Sequence, residues 1–392
     1  MPPYPSTGKV VDLRAWTTFA WARWRGADIA PPAAPLCAPL LRNLGLAPLL
    51  YRALDDADDG RADQFRADHR YAATASLLRL THTGRLRDRL EAAGIPVVLL
   101  KGAAILLRFA PDDLGIRPMS DLDWLVPAEQ YSAAAALLQR EQFRQAHPDL
   151  ARSSRLAPAQ AFVNDGGAMG VEIDLHRAIA PWPLDRGLAA RTLRQRELHG
   201  GWYVPSAPDA LAIAAVHRAR HGFVWSCLDL LDVRLLMDAI VDEAWPECLE
   251  QLREVHAVHA TYATFRQALH VFGGEQPRDQ ARLAALRSSL RLSQCEALER
   301  LAPLDGAFVP RLDRERPLIR SFVVQPLVSG SWWRSVAAAA VYLPVRLVEE
   351  WDTAGVDAKD RAAAPAARPL ARVARIWHHA VRGKRRLSDT HS

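Results

Sequence analysis

Between residues 95 and 176 the chain drops the helical spacing of apolar residues found on either side and breaks into runs of strand length. That switch restricts it to an α+β fold with a small mixed sheet and mostly helical flanks. Ile95-Pro96-Val97-Val98-Leu99-Leu100 is a continuous apolar run that stops at Lys101-Gly102. A helix from Ala103 to about Phe109 is expected next, then a loop holding the turn formers Pro111, Gly115 and Pro118. Asp121 to Val126 predicts a second strand, and 128–141 a helix. Strands are expected at 143–146 and, more weakly, at 161–164. After a turn at Asp165-Gly166-Gly167, Met169 to His176 alternates cleanly between apolar and polar residues.

The flanks read differently. Residues 35–54 and 63–93 carry apolar positions at helical period, with Leu77, Leu78, Leu80, Leu86 and Leu90 marking the second segment and Ala93-Gly94 ending it. From about Pro183 onward the pattern is almost entirely helical, most clearly at 208–222, 226–242, 248–273 and 279–302. A further helix with a proline interruption is expected over 331–352, followed by a linker rich in Ala, Pro and Asp over 353–367. The implied organisation is a helical segment 1–94, a core 95–180, a helical domain 181–305, a helical extension 306–352, and a linker with a basic amphipathic tail over 353–392. Trp16, Trp21 and Trp24 near the start are expected to pack in a core rather than to form a binding surface.

The formal charge of +6 misleads about the fold. Residues 361–392 hold eight Arg or Lys against one acidic residue, so the preceding 360 residues sum to −1. The body therefore offers no extended nucleic-acid track. The tail, with Arg368, Arg372, Arg375, Trp377, Arg382, Lys384, Arg385 and Arg386, is a candidate contact for an anionic surface, a merely solvated end being the alternative. Cys37, Cys227, Cys248 and Cys295 form no CxxC pair, so zinc-finger spacing is excluded and free thiols are expected. The N-terminus lacks a basic segment followed by an apolar run. The most apolar stretch, Val336 to Val348, is short and interrupted by Pro344 and Arg346. A cytoplasmic location is the resulting expectation.

The chemistry concentrates in the strand region. Side chains alternate faces along a strand, so Asp121 and Asp123 share one face while Leu122 and Trp124 take the other. Two carboxylates on one face repel, and burying them unpaired is costly unless they sit at a wet strand end or bind a cation. Such a pair suits Mg²⁺, which prefers oxygen ligands and retains waters for substrate phosphates. In Val171-Glu172-Ile173-Asp174-Leu175-His176 the polar residues Glu172, Asp174 and His176 share a face. If this strand lies beside the Asp121 strand, Asp174 completes a three-carboxylate cluster able to hold two divalent ions about 3.5–4 Å apart. Glu172 is the rival for that third position. His176 is open to two readings, contact with substrate or a carboxylate, or a structural hydrogen bond.

Upstream, Leu99-Leu100-Lys101-Gly102-Ala103-Ala104 reads as strand, tight turn and helix, where free backbone N–H groups and a nearby ammonium favour phosphate. Lysine is rare here, with Lys9, Lys101, Lys359 and Lys384 among 50 basic residues. Arg117 is a second candidate phosphate contact. His217 and His221, four apart, would share a helix face; packing or lining of a nucleotide cleft is the expected role, with zinc ligation the weaker alternative.

The run Leu100-Lys101-Gly102, Arg117-Pro118-Met119-Ser120-Asp121-Leu122-Asp123-Trp124-Leu125-Val126 and Val171 to His176 resembles the bacterial uncharacterised nucleotidyltransferase family, within the DNA polymerase β-like nucleotidyltransferase superfamily. A looser likeness continues through His217, His221, Trp225 and Asp232. The resemblance implies that residues 95–180 are a nucleotidyltransferase-fold catalytic core. It also implies that Asp121, Asp123 and Asp174 are the catalytic, metal-binding carboxylates for Mg²⁺ or Mn²⁺. Lys101, Gly102, Ala103, Arg117, Ser120, Glu172 and His176 become candidate nucleotide or substrate contacts. The chain departs from the superfamily at Gly102-Ala103, where the second position is usually Gly or a triphosphate-binding Ser; Lys101 is the candidate substitute. The implied reaction is transfer of a nucleoside monophosphate from a nucleoside triphosphate to a hydroxyl on a small molecule, peptide or protein. The setting the family suggests is a bacterial biosynthetic cluster for modified peptides or surface polysaccharides. Two rivals remain: a phosphoryl or sugar-phosphate transferase using the same metal site, and a catalytically degenerate scaffold.

Overall fold

The computed structural model describes residues 13–146, 158–164, 170–180, 185, 187–223, 227–273, 276–302 and 304. The turn at Asp165-Gly166-Gly167, Trp225, and the segments expected over 306–352 and 353–392 lie outside the described residues. The N-terminal helices are α1 (Leu13–Trp24), α2 (Ala38–Asn43), α3 (Ala47–Asp55) and the long α4 (Asp63–Ala92). The run expected over 35–54 divides into α2 and α3 at Gly45, whose φ of 74° a side chain would resist. Then come β1 (Val98–Leu99), α5 (Lys101–Phe109), β2 (Leu122–Leu125), α6 (Tyr131–Arg140), β3 (Arg144–Gln145), β4 (Ala159–Asn164) and β5 (Val171–His176). β1 is far shorter than its apolar run because Ile95 still caps α4, its N–H donating to the Leu90 carbonyl, and Pro96 has no N–H to donate.

Past residue 183 the expectation of a nearly all-helical chain is corrected. After α7 (Leu188–Arg194) comes a hairpin, β6 (Glu197–His199) and β7 (Trp202–Val204), turning on Gly200 and Gly201, both at positive φ. Two glycines between Glu-Leu-His and Trp-Tyr-Val are a hairpin signal that the surrounding helical pattern obscured. The remaining helices are α8 (Ala207–Arg220), α9 (Cys227–Ala239), α10 (Trp245–Glu254), α11 (Val258–Phe272), α12 (Pro277–Ser288) and α13 (Leu292–Leu301). Among the described residues no helix is long and apolar enough to cross a membrane.

The seven strands form one mixed sheet in the order β3-β4-β5-β2-β1-β7-β6. β2 runs parallel to β5 and β1 parallel to β7, while the other neighbours are antiparallel. The sheet thus reaches beyond residue 180, because β7 pairs with β1. One face is packed by Leu122, Trp124, Ile173 and Leu175 against Leu86 and Leu90 of α4 and Leu138 of α6. Each such buried side chain contributes roughly 1.5–3 kcal/mol. Leu125, two residues on from Asp123, joins the larger helical core built from α1, α3, α8, α9 and α11. Trp16 and Trp21 are buried in that core, as expected of the aromatic N-terminus.

A buried ion pair ties the sheet to the helices. Arg117 Nε and Nη2 donate to Asp232 Oδ1 and Oδ2 of α9, both at 2.7 Å. Burial opposes the Arg117 charge, but the facing Asp232 outweighs it. The same guanidinium lies over Gly102, where an added Cβ would fall 2.1 Å from Arg117 Nη1. From the other side, Arg79 Nη1 of α4 donates to the Met119 carbonyl at 2.9 Å. The loop is therefore held from two sides just before it enters β2.

Removing one member of this pair strands a buried charge. Asp232→Ala is expected to lower unfolding stability by about 3–5 kcal/mol in urea titration. The double change Arg117→Met with Asp232→Leu should recover most of that loss.

Candidate metal centre

The parallel pairing of β2 with β5 sets Asp123 directly opposite Asp174. Its ladder is anchored at both edges: Leu100 N–H donates to the Asp123 carbonyl at 2.9 Å and Val126 N–H to the His176 carbonyl at 3.0 Å. Alternation sends Leu122 and Trp124 into the sheet core and leaves Asp123 on the face toward α5. Asp123, Asp174 and His176 each offer a ligand atom, all within 4.8 Å of one another, and so form a group that could hold a metal ion. The group combines two carboxylates with one imidazole, a donor set that accepts a divalent cation.

Two hydrogen-bond partners meet on one oxygen. Lys101 Nζ donates to Asp123 Oδ1 at 2.6 Å, and His176 Nε2 faces the same oxygen at 2.9 Å. Burial alone would raise the Asp123 carboxyl. The Lys101 charge, then the His176 hydrogen bond, overrule it and hold the group well below the ordinary carboxylate value. Lys101 is the mirror case: burial disfavours its charge, and Asp123, with smaller help from Asp121 and Asp174, raises its pKa. Its backbone carries φ of 49° at the head of α5, a left-handed geometry that costs a residue with a Cβ roughly 1–2 kcal/mol. Among the described residues Asp174 has no ion pair of that kind, His176 and Lys101 acting on it only from a distance. Burial first, and the Asp123 charge second, push its carboxyl up to about 6.

The other sequence candidates fall into separate places. Asp121 immediately precedes β2, is half-buried, and accepts from Ser120 Oγ at 2.9 Å. It is outside the three-residue group, although its charge contributes to raising Asp174. Glu172 shares the face of Asp174 but pairs in register with Val163 of β4, one step from the β2 contact. Asp174 is thus the β5 carboxylate that meets Asp123. His176 sits on the Asp123 carboxylate, with Nδ1 also 3.3 Å from the Ala178 carbonyl, a placement that serves either of its two readings. Arg117, expected as a phosphate contact, spends its guanidinium on Asp232. Gly102 and Ala103 are buried within α5. A side chain at 102 would collide with the Arg117 guanidinium, which is reason enough for a glycine there. His217 and His221 meet edge to face with ring centroids 4.6 Å apart, and neither joins a metal-type group among the described residues.

Sequence reasoning did not anticipate that Lys101 would bond a carboxylate, nor that Asp232 would be the partner of Arg117. Neither has a local signal, since the partners lie 22 and 115 residues apart.

A family profile described as an uncharacterised nucleotidyltransferase matches residues 34–273, more than half of the chain and spanning everything from α2 to the end of α11. No curated protein matches the chain.

The raised Asp174 value fixes a sign. Its folded pKa lies above the ordinary 3.8, so the folded chain keeps a proton that the unfolded chain releases between about pH 4 and 6. Stability without added metal should fall as pH rises through that window and stay lower above it. Asp174→Asn should abolish this dependence and raise the melting temperature at pH 8 by roughly 5 °C, with the difference shrinking at pH 4.5. Thermal melts across pH in the presence of a chelator measure it.

Proposed function

The chain belongs to the uncharacterised nucleotidyltransferase family, and from that premise we propose that it transfers a nucleoside monophosphate from a nucleoside triphosphate to a hydroxyl acceptor. The observation that carries this reading is the register that sets Asp123 against Asp174 across parallel strands, inside the matched segment. Asp123 and Asp174, with Asp121 at the strand entrance, would hold Mg²⁺ or Mn²⁺. Bound there, such an ion supplies charge neutralisation for the triphosphate and its pyrophosphate leaving group.

The protein's own residues supply position. β2 and β5 fix two of the carboxylates on rigid backbone, and the clamps on Arg117 and Met119 fix the approach to the third. Lys101 neutralises Asp123 in this structure, and a cation held on Asp123 would leave its ammonium free for the phosphates. That exchange compensates for Ala103 standing where the superfamily often has a serine. Acceptor chemistry, a hydroxyl on a small molecule, peptide or protein, is left to the helical part.

A scaffold without catalysis is the second reading. It draws on the Lys101–Asp123 contact, in which an ammonium occupies the carboxylate that an ion would need.

Calorimetric titration of the four common nucleoside triphosphates with and without Mn²⁺ separates the two. The transferase reading expects metal-dependent binding that Asp121→Asn and Asp174→Asn each weaken by roughly 10- to 100-fold or more. Binding that ignores Mn²⁺, or no binding at all, favours the scaffold.

A further inference from the structure

Lys101 touches a second feature besides Asp123. A cleft between α5, α8 and α9 is lined by Lys101, His217 and Asp229 with Ile105, Ile213 and Leu236, and its enclosed part measures about 30 Å³. That space takes a group the size of a water, a hydroxyl or an ammonium, not a nucleobase.

Of the polar residues lining this cleft, Lys101 is committed to Asp123 and Asp232 to Arg117, which leaves Asp229 and His217. Asp229 meets Arg218 Nη1 only at 4.0 Å, beyond hydrogen-bond range, and its side chain is 21% exposed. Neighbouring Asp232 differs, since both its oxygens accept from Arg117. Asp209 and Asp279 likewise accept from Arg191 and Arg234. His217 Nδ1 is buried with no hydrogen-bond partner among the described residues. Burial, then the Lys101 charge, push its imidazole well below the ordinary value, so it is neutral. Burial pushes the Asp229 carboxyl up to about 6, a value suited to taking a proton near neutrality. An open carboxylate, a neutral imidazole and aliphatic walls together form a seat for an alcohol. Lys101 joins that seat to the metal centre within one side chain. The cleft and the centre both present carboxylates, which favours an uncharged or cationic alcohol over an anionic one.

We propose that this cleft seats the hydroxyl end of the acceptor, an alcohol without anionic groups, and that Asp229 accepts its proton. The inference rests on the nucleotidyl-transfer reading above. The acceptor oxygen bonds to the α-phosphorus, the bond from that phosphorus to the bridging oxygen of the β-phosphate breaks, and pyrophosphate leaves. The hydroxyl proton passes to Asp229, and His217 orients the hydroxyl through its unpartnered nitrogen.

The test uses the full chain and saturation-transfer NMR with ethanolamine, choline, glycerol and glucosamine as probes. Two variants accompany it: Asp229→Asn, which keeps shape and removes the charge, and Ala214→Trp, at another lining residue of α8, which fills the cleft. Circular dichroism checks that each is folded, and calorimetry follows Mn²⁺–nucleotide binding. At least one probe should bind the unaltered chain, and Asp229→Asn should weaken it roughly 10- to 100-fold. Ala214→Trp should abolish that binding, while nucleotide binding persists in both variants. No probe binding, or probe binding that survives Ala214→Trp, overturns the proposal. Loss of nucleotide binding in Asp229→Asn also overturns it, by giving the cleft to the nucleotide. Failure of the unaltered chain to bind nucleotide with Mn²⁺ would instead remove the transfer reading, whatever the alcohols do.

Discussion

Two aspartates are held opposite each other by parallel strand pairing, Asp123 on β2 and Asp174 on β5, and the arrangement of their surroundings follows from that repulsion. Backbone ladders fix both, so neither can retreat. The protein answers asymmetrically. It ionises Asp123 fully by bringing Lys101 and His176 to a single oxygen, and it leaves Asp174 disposed to keep a proton. A carboxylate pair in which one member lacks a compensating cation gains most from a divalent ion, which would relieve the penalty on Asp174 that the lysine leaves in place.

The second constraint is mechanical. β2 enters the sheet from a loop whose position depends on residues far away in sequence, Asp232 through Arg117 and Arg79 through the Met119 carbonyl. The Arg117 guanidinium fills the space above Gly102, so the start of α5 and the start of β2 are locked to one another and to α9. This couples the helical part, which carries Asp229 and His217, to the strand that carries Asp123. A site shared between a sheet and a helical layer needs such a joint, and here the joint is ionic and buried.

The elements set by local pattern could be read before the structure. The alternation from Val171 to His176, the Asp-x-Asp strand, α4 and the end of α5 all declare themselves through side-chain period and turn residues, whereas α5 begins at Lys101, two residues before the expected Ala103. So does the α+β class, now seen as one seven-strand mixed sheet among helices. The features that escaped are those decided by long-range pairing. Arg117 beside an acidic motif looks like a phosphate ligand until Asp232 arrives from 115 residues away. Asp121 and Asp123 are equivalent as a motif, yet β2 begins at Leu122, so only Asp123 sits in the ladder facing Asp174. The β6–β7 hairpin was hidden because each of its strands is three residues long, too short to interrupt a helical reading.

The central claim is that a divalent ion takes the place of the Lys101 ammonium on Asp123. A crystal grown with Mn²⁺ and a non-hydrolysable nucleoside triphosphate, measured at a wavelength where manganese scatters anomalously, addresses it directly. The account predicts an anomalous peak bonded to both Asp123 and Asp174, with Lys101 withdrawn from Asp123 toward the phosphates. A structure with nucleotide bound, no peak between those carboxylates and the Lys101–Asp123 contact intact would contradict it.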